Sequence, residues 1–161
     1  MSMSPNMLGG LAVETHEGGC LCGDVRYRTS GPPAYQAACH CRFCQRFTGS
    51  AFHLVVAFDK TSVEFTGKAF STFDYQSPAH GRVLMLQFCP RCGTTLGLNF
   101  ERFPAFQSIC GGTFDDANWF RLDKHIFTGA AVDWMVFPED VELFKNHSLT
   151  LEGGLEQPLP R

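Results

Sequence analysis

Apolar and polar residues alternate along the middle of the chain at a period of two, the signature of strands with one buried face. Residues 24–29 set Val25 and Tyr27 on one side between polar neighbours. Residues 51–58 form a largely apolar run of β-branched and aromatic side chains. Residues 61–65, 70–75, 82–88, 94–99 and 106–110 repeat the pattern at similar lengths, divided by Gly, Pro and Asp turns. Helical spacing is confined to residues 42–48, with further turns expected at 115–120 and 138–143. The pattern predicts a mainly β fold with only short helical turns.

A chain of 161 residues fits one domain, and residues 13–150 are its expected extent. Residues 1–12 and 151–161, rich in Gly, Ser and Pro, are expected to be loosely ordered termini. Sixteen Phe against three Tyr and two Trp suit a compact β core. No apolar run approaches the roughly 18 residues needed to span a bilayer, and the first ten residues lack a signal-peptide pattern. The expectation is a cytoplasmic protein without membrane contact. The net charge is −3 and Lys and Arg are scattered, which argues against a nucleic-acid partner.

Composition alters the picture most through cysteine. In a reducing compartment, eight cysteines read as metal ligands or reactive thiols rather than disulfides. Cys89-Pro90-Arg91-Cys92-Gly93 has the form of a metal knuckle, with Gly93 free to turn at positive φ. Cys20-Leu21-Cys22-Gly23 is a second such pair. Together they complete a closed tetrahedral four-thiolate site, the usual structural zinc arrangement. A redox role for Cys89 and Cys92 fits less well, because Gly93-Thr94-Thr95-Leu96 leads into β structure rather than a helix.

Cys39, Cys41 and Cys44 supply three thiolates within six residues, leaving the fourth position of a tetrahedral zinc open. His40 lies between two ligands and in extended chain points the opposite way. Cys110 and His53 are remote candidates for the vacancy. Three thiolates leave the centre at −1, a weaker Lewis acid than zinc on neutral imidazoles. An exchangeable position there suits an incoming thiolate and the making or breaking of a carbon–sulfur bond. Arg42 and Arg46, four residues apart, are candidate partners for the carboxylates of a thiol cosubstrate such as glutathione. Phe43, Phe47 and Phe52 are expected in the core or walling an apolar pocket. Asp123 and His125 are expected to share a structural hydrogen bond, Trp119 and Trp134 to be core or rim residues, and Cys110 to be a buried inert thiol.

The run Gly18-Gly19-Cys20-Leu21-Cys22-Gly23-Asp24-Val25-Arg26-Tyr27 resembles the opening motif of the glutathione-dependent formaldehyde-activating enzyme family. Cys39-His40-Cys41-Arg42-Phe43-Cys44 and Phe88-Cys89-Pro90-Arg91-Cys92-Gly93-Thr94 resemble its second and third motifs. The resemblance implies an Mss4-like β-tent built around zinc knuckles. It also implies a structural zinc on Cys20, Cys22, Cys89 and Cys92, and a second, catalytic zinc on Cys39, Cys41 and Cys44. The implied function is a zinc-dependent carbon–sulfur lyase acting on the adduct of a glutathione-like thiol with a small aldehyde or other electrophile. The founding reaction joins glutathione and formaldehyde as S-hydroxymethylglutathione. A centromere-associated branch shares the domain, so the alternative is a non-catalytic zinc module for a protein partner.

Overall fold

The computed structural model describes residues 13–160; the expected leader, residues 1–12, lies outside them. Among the described residues eleven strands form two sheets. They are β1 (Thr15–Gly19), β2 (Val25–Ser30), β3 (Tyr35–Cys39), β4 (His53–Asp59), β5 (Val63–Gly67), β6 (Ser71–Gln76), β7 (Val83–Phe88), β8 (Thr95–Phe100), β9 (Phe106–Cys110), β10 (Lys124–Ile126) and β11 (Glu142–Leu143). One helix, α1 (Arg42–Thr48), lies between β3 and β4. The smaller sheet has the order β1-β2-β5, and the larger β11-β10-β3-β4-β9-β8-β7-β6. Pairing is antiparallel except around β10, which runs parallel to both β3 and β11.

The mainly β expectation holds, with the seven anticipated strands displaced by at most two residues at either end. Residues 115–120 do not form a helical turn; the backbone bends there, with Asn118 N–H donating to the Asp116 carboxylate at 2.8 Å. Residues 138–143 turn at Glu139 and Asp140 and then enter β11. Three unanticipated 3-10 turns sit at Lys60–Ser62, Gly111–Thr113 and Thr128–Ala130. Strand β3 carries no β-branched residue. It extends because β4 pairs along one edge and β10 along the other, a tertiary demand that overrides local preference.

Two apolar clusters join the sheets. Tyr27 from β2 packs with Val56, Phe58, Ile109 and Phe114 of the larger sheet and its margin, and Phe65 of β5 lies against them. Val25 packs with Cys20, Cys89 and Leu96, flanked by Phe65 and Phe70. A third cluster, holding Ala37, Cys39, Cys44, Val55, Ile126 and Phe144, fills the far end of the larger sheet. Residues 151–160 are exposed, yet Leu159 N–H donates to Leu143 O at 2.7 Å beside the edge strand β11.

Polar contacts reinforce the seam between the sheets. The Tyr27 hydroxyl meets Thr113 Oγ1 at 2.9 Å, Asp115 N–H donates to Glu17 O at 2.9 Å, and Arg26 pairs with Asp115. Gly18 sits where a side chain has no room: a Cβ would lie 2.4 Å from the Thr113 carbonyl oxygen and 2.3 Å from the Tyr27 hydroxyl. The Gly18→Ala variant is therefore expected to lose about 1–3 kcal/mol by overpacking. Thermal unfolding of the metal-loaded protein measures this, and an unchanged midpoint contradicts it.

Candidate metal centres

Each half of the first cluster is a hairpin turn. Cys20 and Cys22 occupy the β1–β2 connection, and Cys89 and Cys92 the β7–β8 connection. The halves are built alike. Cys20 N–H donates to Val25 O and Cys89 N–H to Thr94 O, both at 3.0 Å, while Gly23 and Gly93 donate back to Cys20 O and Cys89 O. Closing those turns needs φ of +78° at Gly23 and +72° at Gly93, which a Cβ would strain. Between the halves, Leu21 N–H donates to Thr94 Oγ1 at 3.1 Å, and Asp24 pairs with both Arg91 and Lys68.

The four sulfurs fall within 4.8 Å of one another. Cys20 and Cys22 sulfurs are 3.5 Å apart, and Cys22 and Cys89 sulfurs 3.7 Å. A tetrahedron with arms of about 2.3 Å has edges of about 3.8 Å, so the spacing fits zinc on four thiolates. Donors already face these sulfurs. Val25 N–H reaches Cys20 Sγ at 3.3 Å and the Thr94 hydroxyl lies 3.1 Å from Cys92 Sγ. The Thr94 side chain, with its backbone N–H, holds the Cys92 thiol down at about 5.

The second cluster is local. Cys39 closes β3, Cys41 caps α1 and Cys44 stands in its first turn. Cys41 takes the capping role usually played by Ser or Asp, its sulfur accepting from Cys44 N–H at 3.3 Å. Gly49, at φ +65°, ends the helix. The three sulfurs lie within 4.8 Å of one another, with Cys39 and Cys44 buried and Cys41 partly exposed. Hydrogen bonds from Cys39 and Cys44 hold Cys41 down at about 3. Cys39 and Cys44 are pushed up by sharing sulfur-to-sulfur bonds with a neighbour already ionised and by burial. Without metal these shared bonds favour a thiolate at Cys41 and oppose further ionisation of its two neighbours.

Among the described residues, neither His40, His53 nor Cys110 joins this group. His40 is fully buried. Its Nε2 meets His125 Nδ1 at 2.8 Å, and its ring packs against Phe52 and Phe137. His125 therefore bonds to His40 and not to Asp123, whose carboxylate pairs with Lys124. His53, opposite Cys39 in the β3–β4 register, approaches Cys44 Sγ with Nδ1 at 4.0 Å. Burial lowers both His40 and His53 to about 4, so both rings are neutral. Cys110 is buried at the end of β9 and pushed up to about 12 by that burial, as an inert thiol should be.

Arg42 and Arg46 are exposed on α1, and Arg42 donates to the Gln45 side-chain oxygen. Phe43 stacks between Phe47 and Tyr75 at 5.7 and 5.0 Å, so the edge strand β6 folds back against the helix. Phe52 lies on His40, and Trp119 stacks on His16 at 3.7 Å. Trp134, expected in the core or rim, is 72% exposed, on a turn between Ala130 and Phe137. Sequence reasoning missed the Gln45 side chain as a tether. It donates to His40 O at 2.7 Å and Ala130 O at 2.9 Å. Its place one helical step beyond Cys44 was the available signal.

Fold and sites together define a small, mainly β protein built on cysteine knuckles, with two thiol clusters that can each hold a metal ion. The chain belongs to the glutathione-dependent formaldehyde-activating enzyme family, whose profile matches residues 15–130. No curated protein matches the chain. Among solved structures, the crystal structure of a Rhodobacter sphaeroides protein is similar, with 19% identity and a TM-score of 0.50. That likeness covers 64% of this chain and 91% of the other, and it speaks for the fold alone.

The two clusters differ in what they join. Cys22 and Cys89 are 67 residues apart, whereas Cys39 to Cys44 is one short run. In the chain-entropy picture, a cross-link closing about 70 residues constrains the unfolded chain by roughly 4 kcal/mol, and one closing about six by roughly 2. Cys89→Ser is therefore expected to collapse soluble yield and thermal midpoint, while Cys41→Ser keeps the fold and loses only the second metal. Equal collapse in circular dichroism and metal analysis contradicts this division. Metal binding at the second cluster must also displace protons from Cys39 and Cys44. Its affinity is expected to climb with pH, by up to about a hundredfold per unit while both stay protonated. A flat chelator-competition profile across roughly pH 6 to 8 contradicts this.

Proposed function

We propose that this protein is a zinc-dependent carbon–sulfur lyase-type enzyme. Its substrate in this reading is the adduct of a glutathione-like thiol with a small aldehyde or other electrophile. The observation that carries the reading is the second cluster: three convergent sulfurs, one of them partly exposed, with no fourth side chain in the group among the described residues. Seven sulfurs in two tetrahedral settings suit zinc, a borderline-soft ion with no geometric demand of its own. The closed cluster of Cys20, Cys22, Cys89 and Cys92 is read as structural, and that of Cys39, Cys41 and Cys44 as the reaction site. In this reading residues 13–150 form one domain of the Mss4-like tent type in a cytoplasmic protein.

Cys39, Cys41 and Cys44 would hold the zinc, which when bound would supply a place for an incoming thiol to stay ionised at neutral pH. The rest of the work falls to the chain. Arg42 and Arg46, one helical turn apart on the exposed face of α1, receive the two carboxylates of a glutathione-like thiol. The stacked rings of Phe43, Phe47 and Tyr75 present an apolar flank to the carbon being attacked. In the forward direction the sulfur bonds to the carbonyl carbon, the π pair moves to oxygen, and that oxygen takes up from solvent a proton equal to the one the thiol released on ionising. The reverse breaks the same bond, and no electron is exchanged with any acceptor.

A second reading, a non-catalytic zinc module for a protein partner, draws on one observation. Trp134 and Val136 are 72% and 86% exposed on the loop that begins at Ala130, a carbonyl tethered by Gln45. Glutathione titrated into cobalt-substituted protein separates the two. The enzyme reading expects the absorption bands of the second site to shift and those of the first to stay. Arg42→Ala and Arg46→Ala are each expected to weaken that binding about two- to fivefold, as befits exposed charge pairs. No spectral change at saturating thiol removes the enzyme reading and leaves the partner module.

A further inference from the structure

We infer that His125 is a positioning residue for the second cluster, fixing through His40 the turn that carries Cys39 and Cys41. The inference rests on reading that cluster as a metal site. In extended chain, side chains alternate, so the two sulfurs leave the turn on one side and the His40 ring on the other. Whatever holds that ring holds the peptide units bearing both sulfurs. Three tethers do so. His40 N–H donates to Ile126 O at 3.0 Å, Gln45 Nε2 donates to His40 O at 2.7 Å, and His40 Nε2 shares a proton with His125 Nδ1 at 2.8 Å. The last is the one that grips the side chain.

Packing alone does not account for a histidine at this place. The ring is fully buried among Phe52, Phe137 and His125, and among the described residues its Nδ1 has no partner. An apolar ring would fill the same space without burying an unpaired nitrogen, which is a net loss. What only the histidine supplies is the bond to His125, on a strand that contributes no sulfur. Such a bond matters more here than at the closed cluster. Two knuckles can wrap around an ion and adjust to it, whereas three sulfurs in one short run must be held in register by the surrounding protein.

The test starts from the metal-loaded protein and follows zinc release to a chelator, with cobalt substitution to tell the two sites apart. His125→Leu fills the space without the bond and is expected to weaken the second site about 10–100-fold while leaving the first unchanged. His125→Asn, whose amide stands where Nδ1 stood, is expected to recover most of that affinity. Wild-type affinity in the Leu variant overturns the inference, and so does an Asn variant no better than Leu. If the Leu variant does not fold, His40→Phe tests the same bond from the other side. Selective loss of the second metal is expected, and unchanged affinity overturns the inference. A wild-type protein that binds one metal, at the first cluster, sinks the proposed reaction as well. Two metals with an unaffected Leu variant sink only the role of His125.

Discussion

Four sulfurs from two hairpin turns meet at one point, and the relation of the two sheets depends on that meeting. Elsewhere the smaller sheet meets the larger through Val25, Tyr27, Val63 and Phe65, the His16–Trp119 stack and polar contacts around Asp115. At the first cluster the β1–β2 turn is brought against the β7–β8 turn, 67 residues away in sequence. Sulfurs 3.5 to 3.7 Å apart cannot all be ionised without a cation between them. An ion that fits the spacing would therefore also make the convergence stable. Val25 and Leu96 pack directly on these cysteines, so the apolar seam and the thiolate site form one unit.

The second cluster inverts this logic. It crosses no sheet boundary and lies wholly at the β3–α1 junction. Its geometry is set by the neighbouring β10 and by Gln45 on the helix, together with the cap that Cys41 makes for Cys44. The polarity of the surroundings follows. His40, Gln45, His53 and His125 are all buried, an unusual load for so small a region. Groups of this kind raise the cost of folding locally and specify orientation in return.

What the sequence made legible divides along the same line. Strands with a clean two-residue period were readable, as were the cysteine pairs with their glycines, because each signal is local. Strand β3 was not, since Ala37 and Ala38 extend only under pairing from both sides. Strands β10 and β11, three and two residues long, are too short to carry a period at all. The His40–His125 bond joins residues 85 apart. Asp123 seemed the natural partner of His125 because it was near in sequence, yet its carboxylate pairs with Lys124 instead. The exposure of Trp134 was hidden for a different reason: aromatic identity predicts burial on average, and this loop departs from the average.

Stability and reactivity make opposite demands on a thiolate site, and in the proposed reading this chain would meet them at separate places. A site that holds a fold gains from a fourth protein sulfur, because nothing needs to enter or leave. A site that handles a thiol needs that position free, and so it forgoes the fourth bond and part of its grip on the ion. The shortfall must then be made good by preorganisation, through contacts that stay in place whether or not a ligand is bound. Buried neutral histidines suit that task, since a neutral ring can give or accept one hydrogen bond without adding charge beside an already anionic centre. The arrangement around Cys39, Cys41 and Cys44 has this character, and the four-sulfur cluster, with its backbone and Thr94 donors, has no need of it.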